Sequence, residues 1–462
     1  MSIQMRLFWS WGMMGRKIGL LNLGFKTIYA FSHEGRALTA SIFTILFLLC
    51  LSLMMIFQTV LSLRHWFYVQ AHRDTVPAEF AATISLEAHQ KAADYTVTKV
   101  RFGILESFVD AGVLLLLTIG GGVMFVDALV TRFSDVIGSA GYMRGLALVV
   151  GVMILSSLIS IPFDLYRTFN IEARYGFNKI TLKLYVLDAL KGLVLSAVIG
   201  VPLLLATFWL MAQMGTYWWL YVWLMWLGFS LLMMAIYPNF IAPLFNKFKP
   251  LQDESLKARI EALLSRCGFK SSGLFVMDGS TRSSHGNAYF TGFGKTKRIV
   301  FFDTLIERLT PSEIEAVLAH ELGHFKRKHI YKMIITQFLL TLIILAVMGW
   351  VINQPWFYAG LGVGVGASAP QVAVALLLFF LVLPVFTFWL TPLGSMRSRK
   401  HEFEADAYAA SQTRAEDLIS ALVKLYRDNA ATLTPDPLHS AVYDSHPPAS
   451  IRIAHLRAFP TQ

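Results

Sequence analysis

Seven runs of apolar residues, each close to the roughly 20 that a helix needs to cross a hydrocarbon core, divide the chain along its length. With bounds good to a few residues they lie at about 41 to 63, 106 to 130, 145 to 163, 189 to 212, 216 to 237, 333 to 353 and 372 to 393. Apolar residues gathered into such runs, rather than spaced along one helical face, describe membrane spans and not a soluble core. A charged fraction of only 15% and a mean hydropathy of +0.56 agree. The fold class that follows is mainly α, a polytopic membrane protein with seven transmembrane helices. The second run is the least regular, because it opens on Glu106 and Asp110 and carries three consecutive glycines, Gly120 to Gly122.

A formal charge of +11 raises nucleic acid as a partner, but the placement of the charge answers to a bilayer instead. The side holding the loops after spans one, three and five and the C-terminal segment carries 32 Lys and Arg, against 7 on the other side. The basic side is therefore expected to be cytoplasmic, the partner is the lipid bilayer, and no nucleic acid is expected. The first 40 residues scatter Arg16, Lys17, Lys26, His33, Glu34 and Arg36 without a cleavage site, so the first run is expected to be retained as a span. Cys50 lies in that run and Cys267 in the largest loop, so no disulfide is expected between them.

The polar sequence is concentrated between about 238 and 332 and between about 395 and 462. Two spans separate these pieces, so both emerge on one face and are expected to form a single domain. The expected division is a membrane region with spans one to five (1–237), a first protease piece (238–332), spans six and seven (333–394) and a second protease piece (395–462). In the first piece, residues 252 to 267 have helical apolar spacing and stop at Gly268. "GLFVMDGS" and "NAYFTGFGKTKRIVFFD" then predict strands, the latter with a Gly-rich turn near 292 to 297. The next helix opens at "LTPSEIEAV", where Thr310 caps, Pro311 takes the first helical position and Glu313 completes a capping box. No proline follows until Pro355, so this helix is expected to run on into span six.

That helix carries "AVLAHELGHFKRKHI". Residues four apart share a helical face, so His320 and His324 can bring two imidazole nitrogens to one metal, with Glu321 offset toward a water in an open position. This is the zincin arrangement. A catalytic site needs a third protein ligand, and "SRKHEFEADAYAA" just after span seven offers Glu402 and, four residues on, Asp406. Glu402 can bind the metal while Asp406 accepts a proton from the free ring nitrogen of a ligand histidine and fixes its tautomer. His329 and His401 flank these ligands at the wrong offsets and read as interfacial. Glu106 with Asp110, and Asp188 with Lys191, are expected at the interior or at span ends, and Trp218, Trp219, Trp223 and Trp226 as packing and interfacial aromatics.

At these residues the chain resembles the type I CAAX prenyl proteases, seven-span integral membrane zinc metallopeptidases. The resemblance covers most of the chain and rests on "HELGH" at 320 to 324, "HEFEADAYA" at 401 to 409, "NAYFTGF" at 287 to 293 with "RIVFFDTL" after it, and "SHPPASIR" at 445 to 452. It implies one catalytic zinc ion on His320, His324 and Glu402, with Glu321 as general base and later acid. It also implies a barrel of seven helices around a large chamber, with a cytoplasmic-side zincin-like domain containing a small β element. "NAYF" resembles the edge strand with which gluzincins pair an extended substrate, which makes Asn287, Ala288 and Tyr289 substrate-binding candidates. His446 and Arg452 resemble a C-terminal pair able to donate to the oxyanion of the tetrahedral intermediate.

The expected reaction is hydrolysis near the C-terminus of a prenylated CAAX-type substrate by a metal-activated water. The partner is thus a peptide or protein, with prenylation left open because nothing in the sequence reads a prenyl group directly. One alternative role is a broader membrane-protein quality-control protease. A second, of a different class, is a seven-span transporter or receptor with a structural metal. The membrane would be a bacterial inner membrane or that of the endoplasmic reticulum, depending on source.

Overall fold

A computed structural model describes residues 15–133, 141–291, 296–364 and 372–459. Six of its helices are long and apolar enough to cross a membrane, or seven if one bent pair counts as a single span. The six are Thr39–Ala71, Gly141–Tyr175, Leu182–Gln213, Gly215–Phe245, His329–Val351 and Val372–Gln412. Each predicted run has its helix, but most helices continue past the apolar stretch because their polar ends stay helical outside the hydrocarbon.

The irregular second run is the bent pair, Leu86–Leu117 and Gly122–Arg132, which meet at 55°. Its three glycines explain the bend. Gly121 has φ +76°, a left-handed conformation that glycine adopts without steric penalty. A Cβ on Gly120 or Gly122 would lie 2.8 Å from the Leu116 carbonyl oxygen. The acidic residues read as costly are paired or face a cavity. Glu106 pairs with Arg167, while Asp188 takes a two-pronged bond from Arg282 at 2.9 and 3.1 Å. Asp110 lines a cavity of about 550 Å³ between spans one, two, three and seven.

Outside the spans, a four-stranded sheet runs in the order β1 (Phe248–Pro250), β2 (Lys270–Met277), β4 (Thr296–Phe302), β3 (Ala288–Thr291). β2 and β4 are parallel, and the other two pairings are antiparallel. One buried core joins Leu256, Ile260, Ile299, Phe301 and Leu318 of the first polar piece to Ala409, Leu418, Leu422 and Leu456 of the second. The loops after spans one and three pack on the second piece in two further clusters, Phe80 and Ile84 with Val423 and Ile453, and Phe177 with Ala430. Both cysteines are free.

One expectation fails. The motif helix does not run into span six but ends as Pro311–Lys326, and a new helix begins at His329. Arg327 N–H bonds to Gly323 O, and Lys328 then takes φ 59°. A left-handed conformation at a non-glycine residue costs on the order of 1–2 kcal/mol, and without glycine or proline to announce it the break is invisible in the sequence. The contacts that offset it are made by His329.

Candidate metal centre

The motif helix is anchored at its start before it presents any ligand. Thr310 and Glu313 form the full capping box. Glu313 is buried and also accepts from Ser420 Oγ at 2.6 Å and Lys424 Nζ at 2.8 Å, both from the helix Ala415–Asp428. Burial pushes its carboxyl up, but these donors outweigh it and hold the group below the ordinary carboxylate range. Two residues on, Glu315 is paired with Arg259 and Arg266.

The third candidate ligand arrives on a helix that continues span seven, Thr391–Gln412. This helix and the motif helix touch through Gly323. A Cβ there would sit 2.9 Å from Ala405 Cα and 3.1 Å from Ala405 O, both backbone atoms that cannot swing aside. The glycine of "HELGH" thus sets how closely Glu402 can approach the two histidines, a packing role that reading the motif for ligands alone passes over.

The approach brings two imidazole nitrogens and the two oxygens of one carboxylate together. His320 Nε2 and His324 Nε2 are 3.2 Å apart, His324 Nε2 is 3.3 Å from Glu402 Oε1, and His320 Nε2 is 3.4 Å from Glu402 Oε2. A tetrahedron with metal–ligand bonds of about 2.0–2.2 Å has edges of about 3.3–3.6 Å, so the spacing suits a zinc-sized cation. Electrostatics point the same way. Burial lowers the His320 pKa, yet hydrogen bonds with Asp406 and Glu402 outweigh it and raise it to about 9, so the pocket attracts positive charge. Glu402 Oε2 is buried with no hydrogen bond of acceptable geometry, although His446 Nδ1 lies 2.8 Å away. These residues fit the metal that the sequence implies.

Around this cluster, Asp406 Oδ1 lies 2.7 Å from His320 Nδ1, and Asp406 is fully buried. Arg452 is buried too, and its guanidinium is spent on the cluster. Nε donates to Asp406 Oδ2 at 2.8 Å, Nη2 to Asp406 Oδ1, and Nη1 lies 3.4 Å from Glu402 Oε2. The structure therefore separates the pair read together in the sequence. The His446 side chain is 62% exposed, whereas Arg452 is buried with its guanidinium bound to Asp406. Glu321 is half-buried and has no hydrogen bond or ion pair among the described residues.

β3 lies at the outer edge of the sheet and, among the described residues, pairs only with β4. Its Phe290 ring is 5.7 Å from that of Phe325, the residue after His324, which sets this edge beside the motif helix. Ala288 and Tyr289 belong to the strand, and exposed Asn287 immediately precedes it. Residues 292–295 of the Gly-rich turn lie outside the described residues.

Residues 65–247 match the family model "CAAX prenyl protease N-terminal, five membrane helices", and residues 250–459 match Peptidase family M48. A CAAX prenyl protease 1 homolog of Arabidopsis thaliana is 37% identical, over 87% of this chain and 94% of its own. This chain belongs to the CAAX prenyl protease 1 family. The Homo sapiens homolog is 32% identical over 83% of this chain and 88% of its own. The crystal structure of S. mikatae Ste24p superimposes with a TM-score of 0.82 at 32% identity, covering 91% of this chain and 99% of that one. The protein is accordingly a multi-pass membrane metalloendopeptidase.

Within this protease the interfacial reading of His329 is corrected. His329 is buried, with Nδ1 3.1 Å from His324 Nδ1 and Nε2 2.9 Å from Glu404 Oε2, and His401 stacks on its ring at 3.9 Å. Offsets on one continuous helix mislead here because the chain turns at Lys328.

Proposed function

We propose that the protease holds one zinc ion on His320, His324 and Glu402 and cleaves peptide bonds near the C-terminus of prenylated, CAAX-type protein substrates. When bound, the metal supplies a Lewis acid that polarises the scissile carbonyl and acidifies a water molecule. Glu321, with its carboxylate unpaired, takes a proton from the attacking water and passes it to the leaving amine nitrogen. Asp406 holds His320 in the tautomer whose Nε2 is free to ligate, and Arg452 holds Asp406, a positioning role rather than a direct one. His446 is the exposed donor suited to the developing oxyanion. Asn287, Ala288 and Tyr289 present the sheet edge to an extended substrate.

The observation that carries this reading is the convergence of three donor atoms within 4.8 Å of one another beside an unpaired Glu321. The substrate class rests on the relatives named CAAX prenyl protease 1. The excess of Lys and Arg on the protease side supports a cytoplasmic active site. The test is zinc-dependent cleavage by the detergent-purified protein of a farnesylated CAAX peptide and its unprenylated twin, with Glu321→Gln as control. Faster cleavage of the prenylated peptide, lost in the variant, is expected. Equal cleavage of both peptides would refute the prenyl requirement and leave a broader membrane protease.

A further inference from the structure

Both candidate ligand histidines have a second ring nitrogen that needs a partner, and they find different ones. His320 Nδ1 meets a carboxylate directly, at 2.7 Å from Asp406. His324 Nδ1 meets another imidazole, the Nδ1 of His329 at 3.1 Å. Two imidazole nitrogens can share a hydrogen bond only if one of them carries the hydrogen and the other is bare. The far side of His329 settles which. Its Nε2 lies 2.9 Å from Glu404 Oε2, and a carboxylate only accepts, so the hydrogen of His329 sits on Nε2. In the neutral ring His329 Nδ1 is then a lone pair, and the hydrogen between the two rings belongs to His324 Nδ1. That leaves His324 Nε2 bare, and it is the nitrogen that faces His320 Nε2 and Glu402 Oε1.

We propose that His329 and Glu404 are positioning residues that fix the ligating tautomer of His324 through a two-step relay, from Glu404 to His329 to His324. The inference rests on reading His324 as a metal ligand. The backbone supports it independently. On an unbroken helix a residue five positions on lies about 140° around the axis, away from its predecessor. Lys328 at φ 59° interrupts the helix, and His329 comes to lie against His324 with ring centroids 5.2 Å apart. His401, stacked on His329 at 3.9 Å and 8° between planes, keeps that ring from turning. The relay runs from a partly exposed carboxylate, with 33% of the Glu404 side chain accessible, to a His329 side chain that is 4% accessible. Glu404 lies two residues from Glu402 on the same helix, so one rigid element delivers both the third ligand and the base of the relay.

The test is zinc affinity of the full-length, detergent-purified apoprotein, measured by competition with a chelator, together with the d–d absorption of the cobalt-substituted protein and kcat and KM. His329→Leu removes the acceptor, and outer partners of this kind are worth about 10–100-fold in metal affinity. His329→Asn places a side-chain oxygen where Nδ1 was and is expected to recover affinity and cobalt spectrum to near the parent. Glu404→Ala, which releases the His329 hydrogen, is expected to fall between the two. Wild-type zinc affinity and cobalt spectrum in His329→Leu would overturn the relay, as would an Asn variant no better than Leu. Circular dichroism and thermal unfolding separate loss of fold from loss of the relay, and Glu404→Ala at the partly exposed end carries the test if the buried variants do not fold. His324→Ala distinguishes the two inferences, since undiminished zinc binding there would overturn the ligand reading itself.

Discussion

The two sides of the candidate metal centre are built on opposite principles. At the back, His320, Glu402, Asp406 and Arg452 are all buried and linked to one another by ion-pair distances, with Glu402 Oε2 alone making no hydrogen bond among them. In front, among the described residues, Glu321 is half-buried with no partner, His446 is mostly exposed, and the outer edge of β3 has no strand partner. Buried polar groups stabilise only when each is satisfied, and an unsatisfied one costs free energy that other contacts must offset. The back of the site is therefore organised to hold a geometry, and the front to do chemistry on a guest. Substitutions on the two sides should separate accordingly, those in front altering turnover with the fold and metal intact, and those behind altering metal binding and stability first.

The largest separation is expected at Glu321. Glu321→Gln keeps volume and polarity but cannot take a proton, and general acid–base groups contribute about 10²–10⁴-fold to rate. Peptidase activity should fall by at least that order while zinc content stays at one per chain and the unfolding midpoint is unchanged. A variant that lost zinc in parallel would break the contrast, placing Glu321 with the holding groups.

Asp406→Ala should behave in the opposite way. It removes the partner of His320 Nδ1 and leaves the buried Arg452 without its main counter-charge. An uncompensated buried charge costs about 3–5 kcal/mol, so the unfolding midpoint should drop before any assay of activity is run. Zinc affinity should fall by about 10–100-fold, read by chelator competition. Asp406→Asn, which keeps the volume and one acceptor oxygen, should lose less of both.

How much of this was legible beforehand depends on whether the signal was local in the sequence. Glu402 entered only as a carboxylate of a distant segment, while the apolar runs, the capping box at Thr310 and the His320–His324 spacing could be read because apolar run length, cap chemistry and the i, i+4 rule act over a few residues. Asp406 was legible for the same reason, lying one turn from Glu402. His329 was not, because its contact with His324 depends on a left-handed Lys328 that no glycine or proline marks. Arg452 was recognised as a candidate, but its bond to Asp406 was not legible, since it depends on the packing of the helix Ala449–Arg457 against the helix Thr391–Gln412. Gly323 was hidden inside its own motif. Its role is an interhelical distance, and distances between segments more than 80 residues apart are not written in either one.

His446→Ala is the next test in size. If the exposed imidazole donates to the developing oxyanion, kcat should fall by about 10²-fold with little change in KM, as when a single oxyanion donor is removed. Zinc affinity should hold within a few-fold, although His446 Nδ1 lies 2.8 Å from Glu402 Oε2. A collapse in zinc affinity without a specific loss of kcat would move His446 to the holding side and leave the front of the site without its donor.

The smallest effect concerns the sheet edge, and its pattern matters more than its size. Phe302 N–H donates to Asn287 O at 2.9 Å, and Tyr289 faces Val300 in the same antiparallel register. Alternate residues of such a strand direct their backbone groups to opposite sides, so Ala288 and Phe290 face the open edge. Asn287 Oδ1 already accepts the Ala288 N–H at 2.8 Å. What remains for a substrate is the Phe290 N–H and two carbonyl oxygens, so an extended peptide would donate at two positions a residue apart. Methylating the substrate nitrogen at either position removes one hydrogen bond, worth about 0.5–1.5 kcal/mol, or up to roughly tenfold in kcat/KM. A scan of singly N-methylated peptides should therefore show loss at alternate residues and tolerance at the residue between them. Uniform tolerance along the scan would show that β3 does not pair with the substrate and that the front of the site grips it by side chains alone.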